Sequence, residues 1–181
     1  MVLCDNILTE DIITDCANAS ELGFRKKAWI FNYEEIEFPQ SESIGEFPIF
    51  SMKTGKRGYI VTQLGKNPYE GTNTALVVGP YRNSFTNQVK LYIPDNMNSA
   101  RLVDSIATGK FVVCLDNGFG GIRVYGYHNG LTAIECTQTP YSEETDGGWV
   151  VTLEETKAKT SRIHFATSAK EQLDALCKEV V

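Results

Sequence analysis

Residues 141–157 constrain the fold most, because a glycine-rich turn leads directly into a strand with a strict alternation. Trp149, Val151 and Leu153 recur at every second position and therefore share one face, while the residues between them share the other. This pattern is typical of a strand with one buried side. It predicts a β-rich domain in which Trp149 anchors the core.

The turn before this strand carries three carboxylates, Glu143, Glu144 and Asp146. Two carboxylates on one turn do not fix the separation that glycoside hydrolysis or a calcium site requires. We therefore interpret the turn as a solvated segment or a subunit contact. With Trp149, its acids are candidate subunit-interface residues.

The length of 181 residues, 42% of them hydrophobic, predicts one well-buried core. We expect residues 1–25 to form an N-terminal arm and residues 26–181 to form a single β-rich domain. The net charge of -6 opposes a general affinity for phosphate backbones.

The five cysteines are scattered and contain no C-x-x-C spacing, which favours neither a zinc site nor a disulfide framework and indicates a reducing compartment. The first residues lack the basic start and apolar run of a signal peptide. The chain also has no apolar run of the roughly 18 residues that a membrane helix needs, so we expect no stable membrane association.

Short runs rich in aromatic and β-branched residues predict about eight or nine strands. Helical spacing predicts a helix at residues 98–107, and a second helix follows the capping-box pattern of Ser168 and Glu171. Since strands and helices do not alternate, the predicted class is mainly β (α+β), an antiparallel barrel or sandwich of short strands with two short helices.

Two hairpins are predicted from turn chemistry. Residues 47–52 and 59–64 flank a glycine-containing basic connection. Residues 122–127 and 131–136 flank Asn129 and Gly130, a pair that favours a type I′ turn because both central residues need a positive φ.

The residues that usually carry catalysis have structural explanations here. His128 and His164 have no histidine or cysteine partner at ligand spacing, and Cys114 and Cys136 lie within predicted strands, where buried thiols are ordinary. The glycine cluster at residues 118–121 precedes a strand, whereas a phosphate loop opens a helix. We expect no enzyme activity, cofactor or metal.

Apolar and aromatic residues supply the remaining interface candidates. Ile7 and Leu8 lie in a segment too irregular for a helix but too apolar for a free tail, and we interpret it as an arm that packs. Trp29 and Phe31 belong to a set of aromatic residues that is too large to fit entirely inside one small core, so some are expected at an interface.

The sequence resembles structural proteins of tailed bacteriophages, especially the ring- and tail-forming virion proteins of crAss-like phages of Bacteroides. The resemblance lies in residues 4–8, 26–31, 71–88, 126–133 and 141–156. It implies a tail-tube-like β fold, flanked by a helix, whose copies join edge to edge into a ring around a DNA channel.

The resemblance also implies partners and a location. The chain would form a homo-oligomeric ring in a phage tail or head-to-tail region and contact other tail, ring or portal-adaptor proteins. DNA would pass transiently through an acidic lumen, without specific binding. The protein would belong to the virion and be assembled in the host cytoplasm.

Two other functions remain open at this point. One is a carbohydrate-binding or glycan-cleaving β-sandwich that uses surface aromatics and the acidic turn. The other is a capsid decoration or cargo protein of the same kind of virion.

Overall fold

The computed structural model describes residues 23–39, 47–63, 68–96, 99–118, 121–140, 147–161, 163–166 and 168–178. Almost all of the predicted N-terminal arm, including Ile7 and Leu8, lies outside the described residues. The acidic turn with Glu143, Glu144 and Asp146 also lies outside them.

The described chain forms strands and two α-helices, as the residue patterns of the sequence predict. The strands are β1 Lys27–Asn32, β2 Ile36–Glu37, β3 Ser51–Met52, β4 Tyr59–Thr62, β5 Asn73–Val77, β6 Ser84–Ile93, β7 Lys110–Asp116, β8 Ile122–Tyr125, β9 Leu131–Thr139, β10 Gly148–Ala158 and β11 Ile163–Phe165. The helices are α1 Ser99–Thr108 and α2 Ala169–Leu176, and a 3-10 turn spans Tyr33–Glu35. The predicted class, a mainly antiparallel β fold with two helices, is confirmed.

Nine strands form one antiparallel sheet in the order β11-β8-β7-β9-β10-β6-β5, with β1 beside β7 and β4 beside β1. Strand β7 is the branch point. Its residues 111–115 pair with β1 along one side, while on the other side residues 113–116 pair with β8 and residues 110–111 pair with β9. The sheet is open and sandwich-like, and β2 and β3 form a separate two-stranded ladder.

The central strands bury both of their faces. Successive side chains of a strand point in opposite directions, so alternate residues pack into different cores. On β1, Ala28 and Ile30 belong to one apolar core, and Trp29 and Phe31 belong to a second core on the opposite face. Helix α1 contributes Val103 and Ile106 to the first core, and helix α2 contributes Leu173 to the second. Each helix therefore covers one side of the sheet.

The first predicted hairpin is wrong. Strand β3 pairs with β2, and β4 pairs with β1. Residues 47–50 are not in a strand, although Phe50 is buried and its ring packs edge-on against Phe31 at 4.9 Å between centroids. Contact with the second core thus replaces the pairing that the turn chemistry favoured.

The second predicted hairpin is also wrong. Strand β8 pairs with β7 and β11, whereas β9 pairs with β10 and β7. Gly130 has a positive φ of 72°, but Asn129 does not, so the type I′ geometry is absent. Instead, the Gly130 amide donates to the Gly126 carbonyl at 2.9 Å, and the turn wraps around a buried carboxylate described below.

Both predicted helices are present, close to their expected bounds. The capping box is not formed, because the Ser168 side chain makes no capping hydrogen bond. Among the helices of the described residues, none has the length and hydropathy that a membrane crossing requires.

Candidate functional site

Strand β5 is the most exposed apolar element of the sheet. Within the described residues it pairs only with β6, and all five of its residues are exposed. Leu76 is 55% exposed, and Val78, which follows the strand, is 77% exposed. The outer edge of β5 therefore presents backbone amides and carbonyls, together with apolar side chains, to the surroundings.

Among the residues that the structure describes, this edge lacks the features that usually prevent strands from pairing with other chains. Natural edge strands carry charges, prolines or bulges, or are covered by other elements. Residues 73–79 contain no charged residue and no proline, and β5 pairs with β6 in an unbroken register. An uncharged, β-prone segment of this kind tends to recruit another strand.

Strand β4 forms a second apolar edge. It pairs with β1, and Tyr59 and Ile60 are about half exposed. Beside it lies a groove of about 630 Å³. The groove is bounded by β4, β6 and α1, and its lining includes Ile60, Val61, Ile93, Leu102 and Ile106. None of the lining residues is charged.

A partly buried network of polar side chains links β5 to the rest of the sheet. The Thr74 hydroxyl donates to Asn87 Oδ1 at 2.8 Å, and Asn87 Nδ2 donates to Glu155 Oε2 at 2.9 Å. Thr74 lies on β5, Asn87 on β6 and Glu155 on β10. Two side-chain hydrogen bonds, from Thr74 to Asn87 and from Asn87 to Glu155, thus connect the edge strand to the interior of the sheet.

The Glu155 carboxylate is 2% exposed and accepts four hydrogen bonds. Besides Asn87, the donors are the backbone amides of Gly126, His128 and Asn129, at 2.9 to 3.1 Å. A buried charge needs such donors, because leaving it unpaired would cost several kcal/mol. Glu155 therefore organises the turn between β8 and β9.

Trp29 and Phe31, predicted as interface residues, are 1% and 0% exposed and lie in the second core. Their side chains face the interior of their own chain and are not available to another subunit. The sequence predicts more aromatic residues than one core can hold, but the sheet has two cores, one on each face, and aromatic side chains pack into both. Tyr81, by contrast, is fully exposed.

Trp149 is half-buried and packs against the first core, and Val151 and Leu153 are fully buried beside it. These three residues share a face as predicted, but the prediction that only this face is buried is wrong. Thr152 on the opposite face is also buried, and Val150 is partly exposed.

The cysteine thiols of the described residues are poorly suited to nucleophilic chemistry. Burial raises the pKa of Cys114 well above its usual value. Burial, with Asp174 nearby, raises the pKa of Cys177 to about 11. The pKa of Cys136 is also raised, by burial and by the Asp104 carboxylate. Thiols with raised pKa values stay protonated near neutral pH and react slowly.

The histidines occupy structural positions. The His128 ring packs edge-on against Phe47 and Tyr127, and His164 lies opposite Arg123 in the ladder of β8 and β11. Among the described residues there is no group of three or more His, Cys, Asp or Glu side chains that would hold a metal ion.

The two exposed edges were not singled out in the sequence as functional. Strand β5 was predicted as an ordinary strand, and its position at the end of the sheet follows from long-range pairing that local patterns do not contain. The one sequence feature that indicates an exposed edge able to pair is the absence of charged residues from residue 73 to residue 79.

Comparisons with known proteins add no relative: no protein-family model, curated protein or solved structure matches this chain.

Proposed function

We propose that this protein is a non-enzymatic structural subunit that assembles with copies of itself by strand addition. The observation that carries the proposal is the unprotected β5 edge, with five exposed residues and no charge. Strand addition supplies backbone hydrogen bonds, and it buries the apolar side chains that otherwise promote uncontrolled association.

Two different edges are what a ring requires. A closed ring forms when one surface of each copy binds a different surface of the next, whereas identical surfaces give only a two-fold dimer. The β5 and β4 edges are such a pair. A five-residue ladder alone falls short of the roughly 1,200 Å² that stable interfaces bury, and the groove beside β4 offers the additional apolar contact.

With the resemblance in residues 71–88 and 126–133, the assembly takes a specific form: a ring subunit of a phage tail or head-to-tail region around a DNA channel. The residues that resemble those virion proteins include all of β5. The net charge of -6 supports passage of DNA without binding, because like charges repel. Other tail, ring or portal-adaptor proteins are the expected partners.

The test is to measure the mass of the purified full chain across a concentration series and to image it by negative-stain microscopy. The wild type should form discrete oligomers, with rings visible in the images. Leu76→Lys should give monomers, because it places a charge on the β5 edge.

Ile134→Lys is the matched control. Ile134 is 54% exposed, nearly the same as Leu76 at 55%, but it lies on β9 in the interior of the sheet. It should leave the oligomer intact. A wild-type chain that stays monomeric at high concentration would refute the proposal, and equal effects of the two lysines would refute the role of β5.

A further inference from the structure

The turn that follows β5 presents the two most exposed large apolar side chains among the described residues. Tyr81 is 100% exposed and Val78 is 77% exposed. Residues 78–81, which we call the tip, have the sequence Val-Gly-Pro-Tyr and contain no charge. Because its own chain covers little of either side chain, the tip offers apolar area that another molecule can bury.

The backbone fixes the shape of the tip. Gly79 lies against the carbonyl oxygen of Arg82, so close that a side chain at residue 79 would clash with this oxygen. Pro80 follows and holds its φ close to about −65°. A turn that is already formed loses less conformational entropy on binding than a flexible loop does, so the tip is suited to insertion into another surface.

The groove beside β4 has a matching character. Its volume is about 630 Å³, and none of the described residues that line it is charged. The groove also continues past the Tyr59 end of β4. Ile30 pairs with Tyr59, while Asn32 and its partner Phe111, which line the groove, lie beyond that pair. An uncharged apolar side chain is therefore the occupant that this end of the groove favours.

Strand direction brings the tip to the same end. When a strand adds to β4 in the antiparallel direction, its C-terminal end lies beside Tyr59, the first residue of β4. Strand β5 ends at Val77, and the tip follows directly. An antiparallel β5 therefore carries the tip past Tyr59, where the groove continues, whereas a parallel β5 would carry it to the Thr62 end.

We infer that the tip of one copy inserts into the groove of the next copy, with Tyr81 as the anchor and β5 antiparallel to β4. The inference rests on the strand addition proposed above and names the contact that completes it. A five-residue ladder is too small for a stable interface, and a buried tyrosine adds about 150 to 250 Å² from the tip alone. Aromatic anchors seated in apolar pockets commonly dominate the binding energy of interfaces.

Two variants test the two sides of this contact. Tyr81→Ser removes the anchor, and Leu102→Glu places a charge at the lining of the groove on α1. Each should weaken self-association of the full chain by about 10- to 100-fold in analytical ultracentrifugation. Each should leave the thermal unfolding midpoint nearly unchanged, because both side chains are at least half exposed.

Ala100→Glu is the matched control for the groove. It places the same charge on α1, but two positions from Leu102 and therefore on nearly the opposite side of the helix, and Ala100 does not line the groove. It should leave association unchanged. Equal effects of the two glutamates would contradict the inference. Wild-type behaviour of both Tyr81→Ser and Leu102→Glu would also overturn it, because another molecule, or none, would then occupy the groove.

Mixing the two variants shows whether the tip and the groove bind each other. The Leu102→Glu chain keeps an intact tip, and the Tyr81→Ser chain keeps an intact groove. Native mass spectrometry of the mixture, in which the two chains differ in mass, should show 1:1 heterodimers in excess of either homodimer. A mixture without this excess would mean that Tyr81 and Leu102 do not belong to the same contact.

The outcome for the tip can be separated from the outcome for strand addition. Leu76→Lys disrupts the β5 edge itself, whereas Tyr81→Ser leaves that edge intact. If Leu76→Lys gives monomers and Tyr81→Ser assembles like the wild type, strand addition stands and the insertion of the tip is wrong. A wild-type chain that stays monomeric at high concentration refutes both.

Discussion

Strands β7 and β5 contain similar apolar residues but occupy opposite environments. Strand β7 has neighbours along both edges and an apolar core on each face, and its Leu115 is fully buried. Strand β5 has one neighbour within the described chain, and its Leu76 is 55% exposed. A leucine therefore stabilises the core from β7, whereas on β5 it lies exposed at the edge of the sheet.

The largest effect is expected for Leu115→Ala. The substitution leaves a cavity at a fully buried position between strands, so it should lower the free energy of unfolding by about 3 kcal/mol. Chemical denaturation monitored by tryptophan fluorescence measures this change. A loss below about 1 kcal/mol would show that β7 is not the packed centre of the sheet.

A slightly smaller effect is expected for Glu155→Ala, at the buried end of the polar network that links the interior to β5. The variant removes the acceptor of three backbone amides and the Asn87 side chain, and we expect a loss of about 2 to 3 kcal/mol. Hydrogen exchange should show faster exchange of the Gly126, His128 and Asn129 amides.

Glu155→Gln is the control for this network. The amide keeps one oxygen acceptor and nearly the same shape, so the loss should be smaller than for alanine. Equal losses in the two variants would mean that the side chain acts through packing and not through its hydrogen bonds.

The sequence predicted the local elements well and their partners poorly. The alternation of Trp149, Val151 and Leu153, and the two helices, are set by neighbouring residues, so periodicity was enough to find them. The predicted type I′ hairpin at Asn129 and Gly130 is wrong because the shape of this turn depends on Glu155, which lies 26 residues further along the chain than Asn129. No local pattern contains that contact.

The candidate site was predicted less well, for a related reason. Trp29 and Phe31 were assigned to an interface on the assumption of one core, whereas the sheet has a core on both faces. A strand such as β1, buried on both sides, reads as a continuous apolar run, and that run was visible in residues 28–31. The exposure of β5 depends on its place at the end of the sheet, which only the pairing reveals.

A smaller effect, and a dependence on pH, is expected at the contact between β1 and α2. Asp174 accepts hydrogen bonds from Lys27 at 2.5 Å and from Trp29 Nε1 at 2.7 Å. Burial alone would raise the pKa of Asp174, but the two hydrogen bonds outweigh it, and the pKa lies below its ordinary value. The stability that this contact contributes is therefore present above the unfolded pKa of about 3.9 and is lost as the pH falls through the folded pKa.

Asp174→Asn should lower the free energy of unfolding at pH 7 by about 0.5 kcal/mol, since both charged partners are about 40% exposed and screened by water. The difference from the wild type should disappear in acid, below the folded pKa of Asp174. Asp104→Asn, an exposed carboxylate on α1, is the control and should change stability little at any pH. A difference for Asp174→Asn that persists in strong acid would mean that the charge of Asp174 is not its source.

The smallest effect on folding is expected for Leu76→Ala, the same substitution as in β7 but on the β5 edge. In dilute solution it should change the free energy of unfolding by less than about 0.5 kcal/mol, because the side chain is already exposed to water. At the higher concentrations at which we propose that the wild type assembles, the same variant should weaken association measurably by analytical ultracentrifugation. A loss comparable to that of Leu115→Ala in the dilute monomer would show that Leu76 is packed within its own subunit, and the contrast between the two strands would then fail.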